Sequence, residues 1–169
     1  DADVAAVAKV LKSDLLTTGP VVAEFEEKFA AECGVPHAVA CSSGTAALHM
    51  AAIASGIKPG DTAIVPAITF LATATTAILA GAEIVFSDVD PENGLMRPED
   101  LENALDRAAM SSGETRTVFP VHVGGQMADM EAISAIAQKH GSRVVEDACH
   151  ALGTRRGDRR AGDCKDSDM

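Results

Sequence analysis

Residues 63–86 have the sequence AIVPAITFLATATTAILAGAEIVF, and this stretch decides the fold. It begins with the short apolar run 63–65 and ends with a second one, 83–86, and both runs predict β-strands. Between them, residues 70–79 have the pattern of a helix that ends at Gly81. Because a strand–helix–strand unit of this length joins parallel strands, the stretch predicts a sheet whose strands run in one direction.

The same alternation extends over most of the chain. Apolar runs predict three further strands, at 38–41, 117–119 and 143–145. Helical patterns predict five further helices, at 4–15, 21–33, 45–54, 97–109 and 129–140. The charged, glycine-bearing segment 154–166 predicts a surface turn or hairpin. Short apolar strands separated by helices indicate one α/β domain with a parallel sheet covered on both faces, whose ligands bind beyond the carboxyl ends of the strands.

The composition limits the classes of function. Apolar residues make up 47% of the 169 residues, enough for a buried core, and aromatic residues only 3%. The 14 Lys and Arg against 25 Asp and Glu give a formal net charge of −11, which argues against a partner such as nucleic acid or an anionic membrane. No apolar run approaches the ~20 residues that span a bilayer. The four Cys form no CxxC pair, so we expect a reduced, cytoplasmic protein.

The turn that follows residues 38–41 is a candidate anion site. Its sequence, SSGTAAL at 42–48, places small residues at the start of a helix. Free N–H groups and the positive end of the helix dipole attract anions there, and Gly44 would allow a close approach. Ser43 or Thr45 could equally be a plain helix N-cap. The turn is neither a P-loop nor a GxGxxG turn, so it does not indicate the ordinary nucleotide-binding modes.

Three further candidates follow the later strands. Phe70 could stack on a flat ligand or belong to the core. His122 could act as a base, contact a ligand ring, or be hydrogen-bonded in place. Asp147, with Glu146 beside it, comes at the end of a strand predicted to be buried. A carboxylate is costly there unless it has a partner, which makes Asp147 the strongest candidate for a functional residue.

Two patterns suggest a metal site, and both are disfavoured. The acidic loop 88–99 resembles a calcium loop, but Asn93 stands where such a loop needs glycine. Cys149, His150 and Cys164 could be combined into a ligand set, but the first two are adjacent and their side chains would point apart. The sequence therefore predicts no metal site.

Short motifs recur in a fixed order along the chain. They are TTGP (17–20), SSGTAAL (42–48), PGD (59–61), PAITF (66–70), DVD (88–90), PVH (120–122) and EDA (146–148). In order and spacing they resemble the DegT/DnrJ/EryC1/StrS family of pyridoxal-phosphate (PLP) sugar aminotransferases, and the resemblance covers essentially all 169 residues. Segments 11–20, 147–153 and 164–169 most resemble the subgroup of UDP-4-amino-4,6-dideoxy-N-acetyl-β-L-altrosamine transaminases, which belong to pseudaminic acid biosynthesis.

The resemblance implies the fold-type I architecture. That architecture has a large PLP-binding domain of three layers, α/β/α, with a mostly parallel sheet, followed by a smaller domain. Residues 1–169 would form the amino-terminal, incomplete part of the large domain, without its remainder and without the small domain. The resemblance also implies a homodimer with shared active sites.

The resemblance assigns cofactor contacts to six residues: Ser43, Gly44, Thr45, Phe70, Asp147 and His150. The helix start would hold the phosphate of PLP, and the phenyl ring would stack on the pyridine ring. The carboxylate would pair with the ring nitrogen and keep it protonated, so that the ring acts as an electron sink. The imidazole would contact the O3′ side of the cofactor.

The implied reaction transfers an amino group from glutamate to the 4-keto carbon of a nucleotide-linked deoxysugar. The Schiff-base lysine of the family belongs to a segment beyond Met169, so we expect no catalytic residue within 1–169 and no activity from this fragment alone. One alternative is the family variant in which histidine replaces that lysine and the enzyme dehydrates its sugar substrate. The other alternative is a non-catalytic binding or assembly module.

Overall fold

The computed structural model describes residues 1–110, 113 and 116–169. Its contacts separate into two compact units, residues 1–40 and residues 41–169. The first unit is helical, and the second contains the parallel sheet. The assignment of 1–169 to part of one large domain stays a prediction.

Two helices make up most of the first unit. Helix α1 spans Ala2–Leu11 and helix α2 spans Pro20–Cys33. The first helix ends before residue 15, where it was predicted to end, and the Ser13 hydroxyl donates to the Val10 carbonyl at 2.7 Å just beyond it. Such a local side-chain bond offers the backbone an alternative to further helix. The second helix begins one residue before its predicted start and ends as predicted, with Gly34 in the left-handed conformation at its C-cap (φ +77°).

The strand predicted at 38–41 is wrong. These residues pair with no strand in the described part of the chain. The Ala40 N–H donates instead to Glu26 Oε1 at 2.7 Å. An apolar run forms a strand only where a neighbouring strand accepts its backbone bonds, and here a side chain of α2 satisfies the donor.

A parallel sheet of four strands forms the centre of the second unit. Its strands are β1 (Thr62–Pro66), β2 (Glu83–Ser87), β3 (Arg116–Val118) and β4 (Arg143–Val144). They lie in the order β2-β1-β3-β4, and all neighbouring pairs are parallel. In register, Ile64 lies opposite Val85 on one side and Val118 on the other. These four strands and their parallel direction confirm the sequence prediction.

Four helices connect and cover the strands. They are α3 (Gly44–Ala54), α4 (Leu71–Ala80), α5 (Pro98–Ala108) and α6 (Met130–Lys139), each within two residues of its prediction. The predicted hairpin is present as the antiparallel pair β5 (Arg155–Arg156) and β6 (Arg159–Arg160). A short 3-10 turn at Val123–Gly125 was not predicted. Within the described ranges, no helix has the length and hydropathy that crossing a membrane requires.

The strand side chains alternate between two buried layers. One cluster packs the sheet against α5 and α6 and includes Ile64, Val118 and Val144. The other packs it against α3 and α4 and includes Val65, Phe119 and Val145. Because successive strand residues point to opposite faces, both faces of this sheet are covered. The result is the three-layer α/β/α arrangement predicted from the sequence.

The strand order creates a crevice at one edge of the sheet. From β1 the chain crosses to β2 on one side, and β3 then lies on the other side of β1. The connections that leave the carboxyl ends of β1 and β3 therefore diverge. In open α/β sheets this divergence is where ligands bind.

Candidate active site

A pocket of about 360 Å³ lies at the carboxyl ends of β1, β3 and β4. It is lined by the start of α3, the loop between β1 and α4, and the loops that follow β3 and β4. Five of the six residues predicted to contact the cofactor line it: Gly44, Thr45, Phe70, Asp147 and His150. These residues extend from position 44 to position 150 in the sequence, and the parallel sheet brings them together.

The sixth predicted residue, Ser43, caps helix α3. Its backbone is extended and its hydroxyl accepts a hydrogen bond from the Ala46 N–H at 3.2 Å. Ser43 therefore satisfies one of the free N–H groups of the first turn, as an N-cap does. Ser43 is not one of the described residues that line the pocket. The N-cap alternative is thus realised for this side chain, while its contact with a cofactor stays a prediction.

Gly44 begins α3 in close contact with the loop that follows β4. A Cβ atom built on Gly44 would lie 2.7 Å from Cys149 Sγ, a distance that side chains do not reach without movement. The glycine therefore allows the helix start and the loop to approach. The first N–H groups of the helix have no partner within the helix, so this approach leaves an anion-attracting edge at the pocket.

Asp147 is the buried carboxylate of the site, with only 5% of the residue exposed. Its Oδ2 accepts from the Thr73 hydroxyl at 2.8 Å, and its Oδ1 from the Cys149 N–H at 3.3 Å. Both donors are neutral, and no ion pair joins Asp147 to a described cationic side chain. A buried carboxylate at a pocket with neutral donors only is suited to a cationic partner from a ligand.

A pair of threonines orients this carboxylate. Thr73 lies in the first turn of α4 and is fully buried, and its hydroxyl oxygen is 2.8 Å from that of Thr69. Since the Thr73 proton is donated to Asp147, the Thr69 hydroxyl must donate to Thr73. Neither threonine was predicted from the sequence to belong to the site. Nothing in the segment TFLATATT distinguishes Thr73 from Thr75 or Thr76, whose hydroxyls donate within their own helix.

Strand-like pairing continues beyond β3 and β4 and places His122 beside Asp147. The Asp147 N–H donates to the Pro120 carbonyl at 2.9 Å, and the His122 N–H to the Asp147 carbonyl at 3.1 Å. These two backbone bonds fix the loops that follow the two strands against each other. The spacing of the side chains that meet at the pocket therefore comes from the sheet itself.

The His122 ring is hydrogen-bonded through both nitrogens, although it lines the pocket. The Ala128 N–H donates to Nδ1 at 3.3 Å, and Nε2 lies 3.0 Å from Glu146 Oε2. The residue is fully buried. Of the three alternatives considered for His122, this geometry favours a ring that is held in place.

Glu146, next to Asp147, is hydrogen-bonded to residues near the carboxyl end of the described chain. Besides His122, it accepts from the Gly162 N–H at 2.9 Å and from the Ser167 hydroxyl at 2.7 Å. Burial by itself would raise the pKa of Glu146, but these hydrogen bonds outweigh burial and hold the pKa below its ordinary value. Glu146 is therefore ionised at neutral pH.

Phe70 and His150 lie at the open side of the pocket. Phe70 precedes the first turn of α4 and is 72% exposed. Within the described chain, Phe70 is therefore not covered as a core ring would be. His150 is also exposed. Both side chains are therefore accessible to a ligand that enters the pocket.

Cys149 is a weakly acidic thiol at the edge of the pocket. Partial burial and the neighbouring Asp147 carboxylate raise the pKa of Cys149 to about 11. The thiol is therefore protonated at neutral pH and is a poor nucleophile. Its contribution to the pocket is its position against Gly44.

The acidic loop that resembles a calcium loop is closed by hydrogen bonds of its own. In the acidic loop, Asp90 accepts hydrogen bonds from the Glu92 N–H and the Asn93 side chain, which closes a turn. In the portion of the chain that is described, no three His, Cys, Asp or Glu side chains are grouped to hold a metal ion.

The comparison with known proteins decides the family. Over residues 1–169 the chain matches the DegT/DnrJ/EryC1/StrS aminotransferase family. The chain belongs to this family. A curated relative, "Spore coat polysaccharide biosynthesis protein SpsC" of Bacillus subtilis (strain 168), is 45% identical over 161 residues, which are 95% of this chain and 40% of that protein. The chain thus spans about two fifths of the length of this relative.

Two solved aminotransferases have the same fold. A family aminotransferase from Brucella abortus superposes with a TM-score of 0.87 at 39% identity, over 94% of this chain and 43% of that one. The putative sugar aminotransferase Spr1654 from Streptococcus pneumoniae, solved in its PLP form, superposes with a TM-score of 0.83 at 26% identity, over 95% and 43%. These likenesses confirm the predicted fold-type I class.

Proposed function

We propose that the pocket between β1 and β3 binds PLP in a sugar aminotransferase. The observation that carries this proposal is Asp147, a buried carboxylate at the pocket that receives only neutral hydrogen-bond donors. A protonated pyridine nitrogen is the cationic partner that such a carboxylate suits. The family membership and the PLP form of a solved relative give independent support.

The residues present at the pocket fit the parts of this cofactor. The start of α3, at Gly44 and Thr45, would hold the phosphate, with Ser43 capping the helix. Phe70 is exposed at the pocket and would stack on the ring. His150 would contact the O3′ side. Each of these contacts follows the role that the family resemblance assigns.

When bound, PLP supplies an electron sink to the reacting carbon. Asp147 would keep the ring nitrogen protonated, which this electron-accepting role needs. Thr69 and Thr73 hold the carboxylate in one orientation through consecutive hydrogen bonds of 2.8 Å. Only 5% of Asp147 is exposed, and burial strengthens the attraction between its carboxylate and a cationic partner.

The substrates belong to the same proposal. The amino donor would be glutamate, and the acceptor would be the 4-keto carbon of a nucleotide-linked deoxysugar, of the type used to make pseudaminic acid. The similarity to a spore coat polysaccharide biosynthesis protein supports a role in making a polysaccharide precursor. We further propose a cytoplasmic homodimer, and the net charge of −11 argues against nucleic acid or an anionic membrane as its partner.

Amine transfer by the full-length gene product tests the proposal. The protein is loaded with PLP and given ¹⁵N-glutamate and a UDP-linked 4-keto-6-deoxysugar, and the products are analysed by mass spectrometry. The proposal predicts a ¹⁵N-labelled amino sugar. A dehydrated sugar without nitrogen would indicate the dehydratase alternative, and a protein that neither binds PLP nor acts on the sugar would indicate the binding or assembly module.

A further inference from the structure

One carboxylate connects the wall of the pocket with the end of the described chain. The side chain of Glu146 is 4% exposed and accepts from three donors. Oε2 accepts hydrogen bonds from the His122 ring and the Gly162 N–H, and Oε1 accepts one from the Ser167 hydroxyl. Glu146 is not among the described residues that line the pocket. Its side chain contacts the pocket wall through its hydrogen bond with His122.

The hydrogen bonds fix the tautomer of His122. A backbone N–H can only donate, so the Ala128 N–H requires an unprotonated Nδ1. The proton of the neutral ring is then on Nε2, where it is donated to Glu146 at 3.0 Å. Both ring nitrogens are therefore occupied, and the ring can offer the pocket only its carbon atoms.

We propose that Glu146 is a positioning residue of the pocket, which holds His122 in the Nε2–H tautomer as an apolar wall and so keeps its nitrogens out of proton transfer. This inference rests on the proposed function, because it concerns how the same pocket receives PLP. Glu146 is itself held by Gly162 and Ser167, on the segment that pairs with β4 through the Asp168 N–H and the Val144 carbonyl at 2.8 Å. The placement of the His122 ring in the pocket wall and the placement of residues 162–168 thus both depend on the Glu146 side chain.

Glu146 needs to be an acceptor, but it does not need to be charged for this role. In Glu146→Gln, the amide oxygen can still accept from His122 and Gly162, while the amide nitrogen can donate to the Ser167 hydroxyl. In Glu146→Met, a side chain of similar length offers no acceptor of comparable strength, and the His122 Nε2–H loses its partner. Gln is therefore the rescuing variant and Met the disrupting one.

The first test is the tautomer of His122 in the full-length protein. Nitrogen chemical shifts of ¹⁵N-histidine, assigned by their loss in His122→Gln, are measured at neutral pH before and after PLP is added. The inference predicts the Nε2–H tautomer in both states. An Nδ1–H tautomer, or a ring that gains a proton when PLP or substrate is added, would overturn it. Because the first spectrum needs no PLP, it tests the inference even if the proposed function fails.

The second test is the affinity for PLP. By analogy with the outer hydrogen-bond partners of metal ligands, we expect Glu146→Met to weaken PLP binding by about tenfold and Glu146→Gln by much less. Glu102→Met, at an exposed position of α5, is the matched control and should bind like wild type. If wild type binds PLP and Glu146→Met binds it equally well, the inference is wrong. If Glu146→Met does not fold, a Glu146→Gln protein whose His122 has changed tautomer would contradict it equally.

Discussion

The Thr73 hydroxyl donates a 2.8 Å hydrogen bond to Asp147 Oδ2 across 74 positions of sequence. This bond joins the first turn of α4 to the loop that follows β4, and both of these elements line the pocket. It orients the carboxylate without neutralising its charge. The charge therefore remains available to a ligand.

Replacing Thr73 tests this orientation. Thr73→Val keeps the shape of the side chain but leaves a buried carboxylate with one donor fewer, and we expect the free energy of unfolding to fall by about 1–3 kcal/mol. Urea unfolding of the full-length protein without cofactor measures the change. Thr75→Val is the matched control on the same helix, because the Thr75 hydroxyl donates only to the Leu71 carbonyl. An equal loss in both variants would contradict the special role of Thr73.

The contact between Gly44 and Cys149 predicts a coupled pair of substitutions. Gly44→Ala places a methyl group 2.7 Å from the Cys149 sulfur, so the thiol must rotate and the helix start becomes less accessible to an anion. We expect weaker PLP binding, and partial recovery in Gly44→Ala/Cys149→Ala, where the sulfur is gone. PLP titrations of both single variants and the double variant measure the coupling. Strictly additive effects would show that the contact does not limit binding.

The sequence predicts the layers of this fold better than it predicts their contacts. Continuous apolar runs and the length of the helical patterns predict that β1 and β3 are buried, because these patterns are local. The segment 38–41 has the same apolar pattern, yet its backbone bonds to Glu26. Whether an apolar run becomes a strand depends on a partner elsewhere in the chain, and that information is not in the run itself.

The lowered pKa of Glu146 predicts a pH-dependent stability. A carboxyl whose pKa is lower in the folded state stabilises that state above its unfolded pKa, here near 4.5, and this contribution is lost as the pH falls through the lower folded-state pKa. We expect wild type to lose its stability advantage over Glu146→Gln below about pH 4.5. Urea unfolding over an acidic pH series measures it. A difference between the two proteins that does not change over this range would contradict the assignment.

The raised pKa of Cys149 predicts slow alkylation at neutral pH. Since only the thiolate reacts, the rate at Cys149 should continue to rise with pH towards about 11. A small cysteine peptide, with a thiol pKa of about 8.5, should reach its plateau much earlier. Mass spectrometry of the Cys149 peptide after timed treatment with iodoacetamide measures the rate. A plateau at the same pH as in the peptide would contradict the effect of Asp147.

As with the fold, some residues of the site could be predicted from the sequence and others could not. Asp147 could be predicted because a carboxylate at the end of a buried strand needs a partner whatever the rest of the chain does. Thr73 could not, because a threonine on a helix has the same local pattern whether it faces a carboxylate or its own backbone. For His122, the sequence left three roles open, and the hydrogen bonds from Ala128 and to Glu146 favour one of them.

The most direct test of the central claim is the affinity of Asp147→Asn for PLP. Asparagine has nearly the same shape and can still accept from Thr73, but its amide nitrogen then faces the Cys149 N–H, so we expect the apoprotein to fold with a free energy of unfolding lower by about 1–3 kcal/mol. The charge is lost, however, and a charge-assisted hydrogen bond of about 1.5–3 kcal/mol corresponds to a Kd that is about 10–160-fold higher. Titration of the full-length apoprotein with PLP measures this. A rise of that size in an apoprotein that is still folded is the predicted result, and an Asp147→Asn protein that binds PLP with the wild-type Kd would contradict the account.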